Sequence, residues 1–102
     1  MIYIGEYEEF RPGRGYPSIK EYFSAEPYTG QGEIIHYLLH GKVDMVSMQR
    51  PRDVITGNRI PMEKLGMCDD KYTWWNILAY YVKVYNLRLP QDFEQHILSK
   101  RR

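Results

Sequence analysis

The feature that most constrains the fold is an aromatic-rich segment near the C-terminus, from Tyr72 to Tyr85. The side chains that share one stripe of a helix in this segment are those of Trp74, Ile77, Leu78, Tyr81, Val82 and Tyr85. Spacing of this kind is typical of a helix with a buried face, so it predicts a helix over Thr73–Asn86. Because Trp75, Ala79 and Val84 make the opposite side apolar as well, we expect this helix to be buried on several sides and to be central.

The N-terminal half predicts one strand and two helices. Residues 2–7 are rich in strand formers, and an interruption containing proline and glycine follows. Ser18 and Glu21 have the spacing of a capping box, which predicts a short helix that ends before Pro27. A second helix is predicted over residues 33–40, and Gly41 follows it where a left-handed C-cap is expected.

The middle of the chain predicts β-structure, and the end predicts a last helix. Residues 42–48 predict a strand, and residues 53–56 and 59–60 predict a hairpin around Gly57-Asn58. Pro90 opens the last helix, which Lys100, Arg101 and Arg102 close with positive charge. The expected fold class is therefore α+β. A small antiparallel sheet of about three to four short strands is packed on one face by about four helices, with the aromatic helix 73–86 at the centre.

Length and composition bound the class of protein. A chain of 102 residues that is 43% hydrophobic and 26% charged predicts one folded domain over residues 1–102. The single cysteine, Cys68, makes no internal disulfide, and the acidic N-terminal segment does not look like a signal peptide, so we expect a cytoplasmic protein. No apolar stretch is long enough to predict a membrane span. A net charge of +1 argues against a protein that works mainly by neutralising phosphates, although a local basic patch is compatible with it.

Metal binding and catalysis have only weak candidates. His36 and His40 lie four residues apart on a predicted helix, as in zinc enzymes, but Tyr37 stands where the zincin motif needs glutamate. Two histidines on a solvated helix face explain the same pattern, and whether they bind metal stays open. Cys68 precedes two aspartates, which raise a thiol pKa and so oppose its activation as a nucleophile. We therefore predict no catalytic, metal or cofactor-binding residue and no cofactor, and we favour a protein that is not an enzyme.

A basic and aromatic patch is the more specific site hypothesis. The arginines expected in loops or at strand ends are Arg11, Arg14, Arg50, Arg52 and Arg59. If the first loop and the hairpin meet at one end of the sheet, these side chains form one patch, and Tyr16 and Tyr28 supply stacking surfaces. That combination is typical of a modest phosphate- or nucleic-acid-binding face. Charged loops that simply face water are the alternative.

The ten tyrosines indicate an interaction surface. A 102-residue core cannot contain all of them, and exposed aromatic side chains beside arginines are common in protein-binding hot spots. Our first hypothesis is therefore a non-enzymatic protein-interaction or accessory module, whose partner is another protein or a second copy in a homodimer. The alternative is a nucleic-acid-binding accessory protein that uses the arginine and tyrosine patch. We expect no membrane partner.

Two stretches support a resemblance. Residues 74–93 read WWNILAYYVKVYNLRLPQDF, and residues 50–57 read RPRDVITG. Together they resemble small uncharacterised proteins carried on mobile elements of Gram-positive bacteria. The resemblance implies an accessory protein in a bacterial cytoplasm, and it implies no site residue.

Overall fold

The fold is a four-stranded sheet with three α-helices, seen in a computed structural model that describes residues 1–100. In chain order, the described elements are β1 (Ile2–Ile4), a 3₁₀ helix (Ile19–Tyr22), α1 (Gln31–Leu39), β2 (Lys42–Val46), β3 (Leu65–Cys68), β4 (Tyr72–Trp75), α2 (Leu78–Tyr85) and α3 (Gln91–Ser99). The α+β class is as predicted. The described part of the chain has one α-helix fewer than the four expected helices, because the first is a 3₁₀ helix.

The aromatic segment is divided between two elements, which corrects the prediction of one helix over residues 73–86. Residues Tyr72–Trp75 form strand β4, and α2 begins only at Leu78. Aromatic and β-branched residues favour a strand when partner strands are present, and β4 has two, β1 and β3. The segment is still the centre of the molecule, because β4 is an inner strand and α2 carries buried side chains.

The strand order is β1-β4-β3-β2, and it mixes parallel and antiparallel pairing. Strand β1 runs parallel to β4, with Ile4 opposite Trp74. The pairs β3–β4 and β2–β3 are antiparallel. The expectation of a purely antiparallel sheet is therefore wrong for β1, since about seventy residues of chain separate it from β4 and allow the crossover that parallel pairing needs.

The predicted hairpin around Gly57-Asn58 is a turn and not a pair of strands. A single bridge joins Arg52 to Arg59, and the backbone between them is held by Asp53. The strand that pairs with β2 is β3, at Leu65–Cys68, which the sequence pattern did not indicate. This strand is short and includes Gly66, so its sequence shows no clear alternation of apolar and polar side chains.

Most of the helix ends are determined by residues adjacent to them in the sequence. Ser18 and Glu21 form the predicted capping box at the 3₁₀ helix, Asn86 ends α2 in the left-handed conformation with φ of 56°, and Pro90 precedes α3. Gly41 is not a left-handed cap. A Cβ at this position would lie 2.8 Å from Cζ2 of Trp74, so the glycine leaves room for the indole. Among the predicted closing cations of the last helix, Arg101 and Arg102 lie outside the described residues.

The core lies between one face of the sheet and the helices. Alternation along β4 directs Tyr72 and Trp74 into this layer and Thr73 and Trp75 to the opposite, open face. The buried indole of Trp74 donates a hydrogen bond from Nε1 to the carbonyl oxygen of Leu38 on α1, 3.0 Å away. It also packs against Phe93 of α3. One strand residue therefore joins the sheet to two helices, and the open face is left for other contacts.

The helices are short. None within residues 1–100 has the length and apolar character needed to cross a membrane.

Candidate functional site

A cavity of about 550 Å³ lies on the open face of the sheet, and we call it the arginine cavity. Two loops border it, one after β1 and one after β2. The residues that line it are Tyr3, Glu9, Phe10, Arg11, Gln49, Arg50, Pro51, Arg52, Val54, Lys64, Trp75 and Ile77. Three arginines of the predicted patch, Arg11, Arg50 and Arg52, therefore meet at one concave surface.

The cationic side chains of the arginine cavity are not neutralised by neighbouring carboxylates. Within residues 1–100, none of Arg11, Arg50, Arg52 and Lys64 forms an ion pair. Glu9 is the one acidic side chain in the lining, and its two carboxylate oxygens accept hydrogen bonds from the Ser18 hydroxyl (2.5 Å) and from a backbone N–H (2.8 Å). The cavity therefore presents a local excess of positive charge in a chain whose net charge is only +1.

Aromatic side chains form the floor of the cavity. The Nζ atom of Lys64 lies 4.5 Å from the ring centre of Trp75, in a cation–π contact. Burial lowers the pKa of Lys64, because desolvation disfavours the charged amine. Burial raises the pKa of the Tyr3 hydroxyl, and the Trp75 side chain and the charge of Arg11 act in the opposite direction. The floor is thus apolar and the rim is cationic, an arrangement suited to an anionic group attached to a flat or apolar body.

The carboxylate of Asp53 positions the loop that carries Arg52. It is 1% exposed and accepts hydrogen bonds from the hydroxyls of Tyr80 (2.7 Å) and Tyr85 (2.5 Å) on α2. Burial tends to raise the pKa of Asp53, but hydrogen bonds from Tyr85 and Tyr80 outweigh this effect and lower it. Within residues 1–100, this carboxylate is held by its own turn and by α2 and forms no ion pair with an arginine of the cavity.

Arg59 lies beside the arginine cavity rather than in it. It lines an adjoining cavity of about 460 Å³, which shares Arg50 and Lys64 with the first. The single bridge between Arg52 and Arg59 places two arginines opposite each other. Like charges directly opposite in a β-bridge are destabilising, although Arg52 donates a hydrogen bond from Nη1 to the Gly57 carbonyl (3.0 Å). The two cavities adjoin at Arg50 and Lys64, which line both.

The remaining residues of the predicted patch are placed differently. Tyr16 is hydrogen-bonded to Glu6, which raises the pKa of Tyr16, while the charges of Arg11 and Arg14 lower it. Arg14 and Tyr16 therefore stand near Arg11 without lining the cavity. Tyr28 does not join them. Its hydroxyl donates to the Leu87 carbonyl (2.5 Å), and its ring packs under the Arg88 guanidinium, 4.1 Å away.

The histidine and cysteine candidates do not come together. His36 and His40 stack on each other with ring centres 4.1 Å apart on the exposed side of α1. Cys68 is a buried thiol on β3. Burial and then the negative charge of Asp44 raise its pKa, which is the direction expected for an unreactive thiol. Within the described residues these three side chains form no metal-ligand group.

Asp69, Asp70 and His96 do offer ligand atoms within 4.8 Å of one another. The carboxylate of Asp69 is already saturated, however. It accepts hydrogen bonds from two backbone N–H groups and from the Tyr37 hydroxyl, and it contacts Nε2 of His96 at 2.8 Å. Burial acts to raise the pKa of Asp69, but these hydrogen bonds, with that of Tyr37 the largest, lower it to about 2. The cluster ties α1 and α3 to the β3–β4 turn.

Sequence reasoning missed Lys64, Trp75 and Tyr3 as members of the site. Lys64 precedes β3, which the sequence pattern does not indicate, and Trp75 ends β4, which the pattern assigns to a helix. If Tyr72–Trp75 is interpreted as a strand, its side chains alternate between the two faces of the sheet. This alternation is the sequence signal that places Trp75 on the face opposite the core.

Comparison of the chain with protein-family models, with curated protein sequences and with solved structures finds no match. The resemblance to proteins of Gram-positive mobile elements therefore stays a prediction.

Proposed function

We propose that this chain is a non-enzymatic accessory module that binds single-stranded nucleic acid through its phosphates in the arginine cavity. The observation that carries the proposal is the convergence of Arg11, Arg50, Arg52 and Lys64 on one concave surface without carboxylate partners among residues 1–100. Unneutralised cations attract phosphates and release the counterions that surround them. We propose that it acts in the cytoplasm.

The shape of the surface favours a single strand over a duplex. A duplex is contacted by an element that enters a groove or by a wide basic face. Here the cations surround a cavity of about 550 Å³, and Arg50 continues into a second cavity of about 460 Å³. A flexible strand can place successive phosphates along such a path and lay a base against Tyr3 or Trp75.

The charge of the chain sets the expected strength of binding. The net charge of +1 allows no long-range attraction, so the few cations of the cavity must supply the electrostatic contribution. Each phosphate contact on a single strand contributes about −0.7 to the slope of log K against log salt. With four cations in contact, we expect a slope of about −2 to −3 and weak binding at physiological salt.

Fluorescence anisotropy of labelled single-stranded DNA and RNA, titrated with the protein over a salt series, tests the proposal. Arg50→Glu should weaken binding by about tenfold or more and lower the magnitude of the salt slope. Lys83→Glu makes the same charge change on an exposed position of α2 outside the cavity, and it should leave binding nearly unchanged.

Two further ligands distinguish the alternatives. A duplex of the same length should bind more weakly than the single strand. Polyglutamate reports on recognition of an acidic protein partner, one form of the protein partner that is our first hypothesis from the sequence. Equal binding of polyglutamate and oligonucleotide, or equal effects of Arg50→Glu and Lys83→Glu, would refute nucleic-acid recognition at this cavity.

A further inference from the structure

The edge strand β2 is an exposed surface separate from the arginine cavity. Strand β2 stands at the end of the sheet and pairs only with β3, so one row of its backbone N–H and C=O groups faces outward. All five of its residues are exposed. Exposed fractions are 47% for Val43, 58% for Met45 and 63% for Val46, and Met48, which lies beyond the end of the strand, is 94% exposed. An exposed strand with several apolar side chains is a template for pairing with another strand.

The charges of β2 restrict which strand can pair with it. Lys42 is paired with Cys68, and Oδ1 of Asp44 lies 3.1 Å from the position that a Cβ would take on Gly66. Cys68 and Gly66 are paired with Thr73 and Trp75 of the open face, so Lys42 and Asp44 share that face. A generic apolar strand laid along this edge would bury or oppose both charges without compensation. A partner strand must carry the opposite charges at the matching positions.

A second copy of β2 meets this requirement in one register. An antiparallel pair related by a two-fold axis at Val43 places Lys42 of each copy opposite Asp44 of the other, and Val43 opposite Val43. An axis at Asp44 would place the two aspartates opposite each other, and an axis at Met45 would place Asp44 opposite Val46. Of these three registers, only the one about Val43 places opposite charges against each other.

We infer that this chain self-associates through β2, in antiparallel register about Val43, to form a continuous eight-stranded sheet across two copies. Asp44 is the extra residue of the bulge between Val43 and Met45, so regular pairing between the two copies is confined to the stretch from Lys42 to Asp44. The dimer is therefore weak and depends on concentration. The arginine cavities of the two copies then lie on the same open face, because a two-fold axis perpendicular to the sheet preserves the faces.

Sedimentation equilibrium from about 10 µM to about 1 mM protein tests this inference, because a small interface dissociates in this range. The wild type should show a monomer–dimer equilibrium. Asp44→Lys places like charges opposite each other twice in the symmetric pair and should raise the dimer dissociation constant by about tenfold or more. Lys42→Asp should act in the same way.

The charge-swapped double variant, Lys42→Asp with Asp44→Lys, restores both opposite pairs and should recover dimerisation. Circular dichroism checks that each variant is folded, and Lys83→Asp on α2 is the control for charge alone. Hydrogen exchange adds a local readout, because the β2 amides should become more protected as concentration rises. A wild type that remains monomeric throughout the series would overturn the inference. So would unchanged dimerisation in both single variants, or folded double variants that fail to associate.

Discussion

The buried carboxylate of Asp53 gives the most specific stability prediction. It accepts hydrogen bonds from the hydroxyls of Tyr80 and Tyr85 and from the backbone N–H groups of Ile55 (2.7 Å) and Thr56 (3.1 Å). This one side chain closes the turn that begins at residue 53 and ties it to α2. Substituting Asp53 by alanine leaves four donors without their acceptor, and we expect a large loss of stability.

The size of the loss follows from which donors can find water instead. Tyr80 and Tyr85 are half-buried, and Ile55 and Thr56 are exposed, so all four donors can recover part of their hydrogen bonding from water. Hydrogen bonds to a charged group contribute about 1.5–3 kcal/mol, and water replaces part of the lost bonding, so we expect Asp53→Ala to lose about 2–3 kcal/mol of unfolding free energy. Asp53→Asn keeps one acceptor oxygen and should lose about 1–2 kcal/mol. Domains of this size unfold with about 5–15 kcal/mol, so the alanine variant loses a large share.

The effect of Asp53 should also depend on pH. Its folded-state pKa is lowered below the ordinary value of 3.8, because hydrogen bonds to the charged form outweigh burial. A lowered pKa means that the ionised group stabilises the folded state above its unfolded pKa. That stability is lost as the pH falls through the folded pKa. The difference between wild type and Asp53→Asn should therefore be constant near neutral pH and shrink below about pH 4.

Urea denaturation, followed by tryptophan fluorescence and circular dichroism at pH 7 and at pH 3, measures these differences. Asp70→Asn is the matched control, because the Asp70 side chain is 78% exposed, and it should change stability by less than about 0.5 kcal/mol. An alanine variant of Asp53 as stable as this control, or a difference that grows toward low pH, would refute the account of Asp53 as an ionised anchor.

Three further predictions concern the core and its polar contacts. Asp69→Asn removes a charge that contacts His96 and should cost about 1–3 kcal/mol by urea denaturation at pH 7; since the pKa of Asp69 is lowered to about 2, this cost should be constant near neutral pH and shrink as the pH falls from about 4 toward 2. Gly41→Ala forces a Cβ to 2.8 Å from the buried indole and should cost about 1–3 kcal/mol, whereas Gly32→Ala meets nothing within 4 Å in α1 and should be neutral or slightly stabilising in the same assay. Cys68 should react slowly with iodoacetamide at neutral pH and rapidly in urea, because it is buried and its pKa is raised; equal rates in the two conditions would contradict its burial.

Part of the candidate site could be predicted from residue types alone. Clustering of Arg50 and Arg52 near a turn, with Arg11 in a glycine-rich loop, indicated a shared basic surface. The contributions of Lys64 and Trp75 could not be predicted, because they depend on the pairing of β3 with β4. Tyr28 is the opposite kind of error, because it was predicted to belong to the patch and lies beside Arg88 instead. Nothing in the sequence indicates its contact with Arg88.

The sequence by itself determined the features that depend on a few adjacent residues. The capping box at Ser18, the left-handed end of α2 at Asn86 and the start of α3 after Pro90 all form from interactions within one or two turns of chain. Only the tertiary structure decided that Tyr72–Trp75 is a strand, that β1 lies parallel to it and that β2 remains at an open edge. A strand obtains its hydrogen bonds from segments far away in the chain, so its formation is decided by which partners are present and not by its own residues.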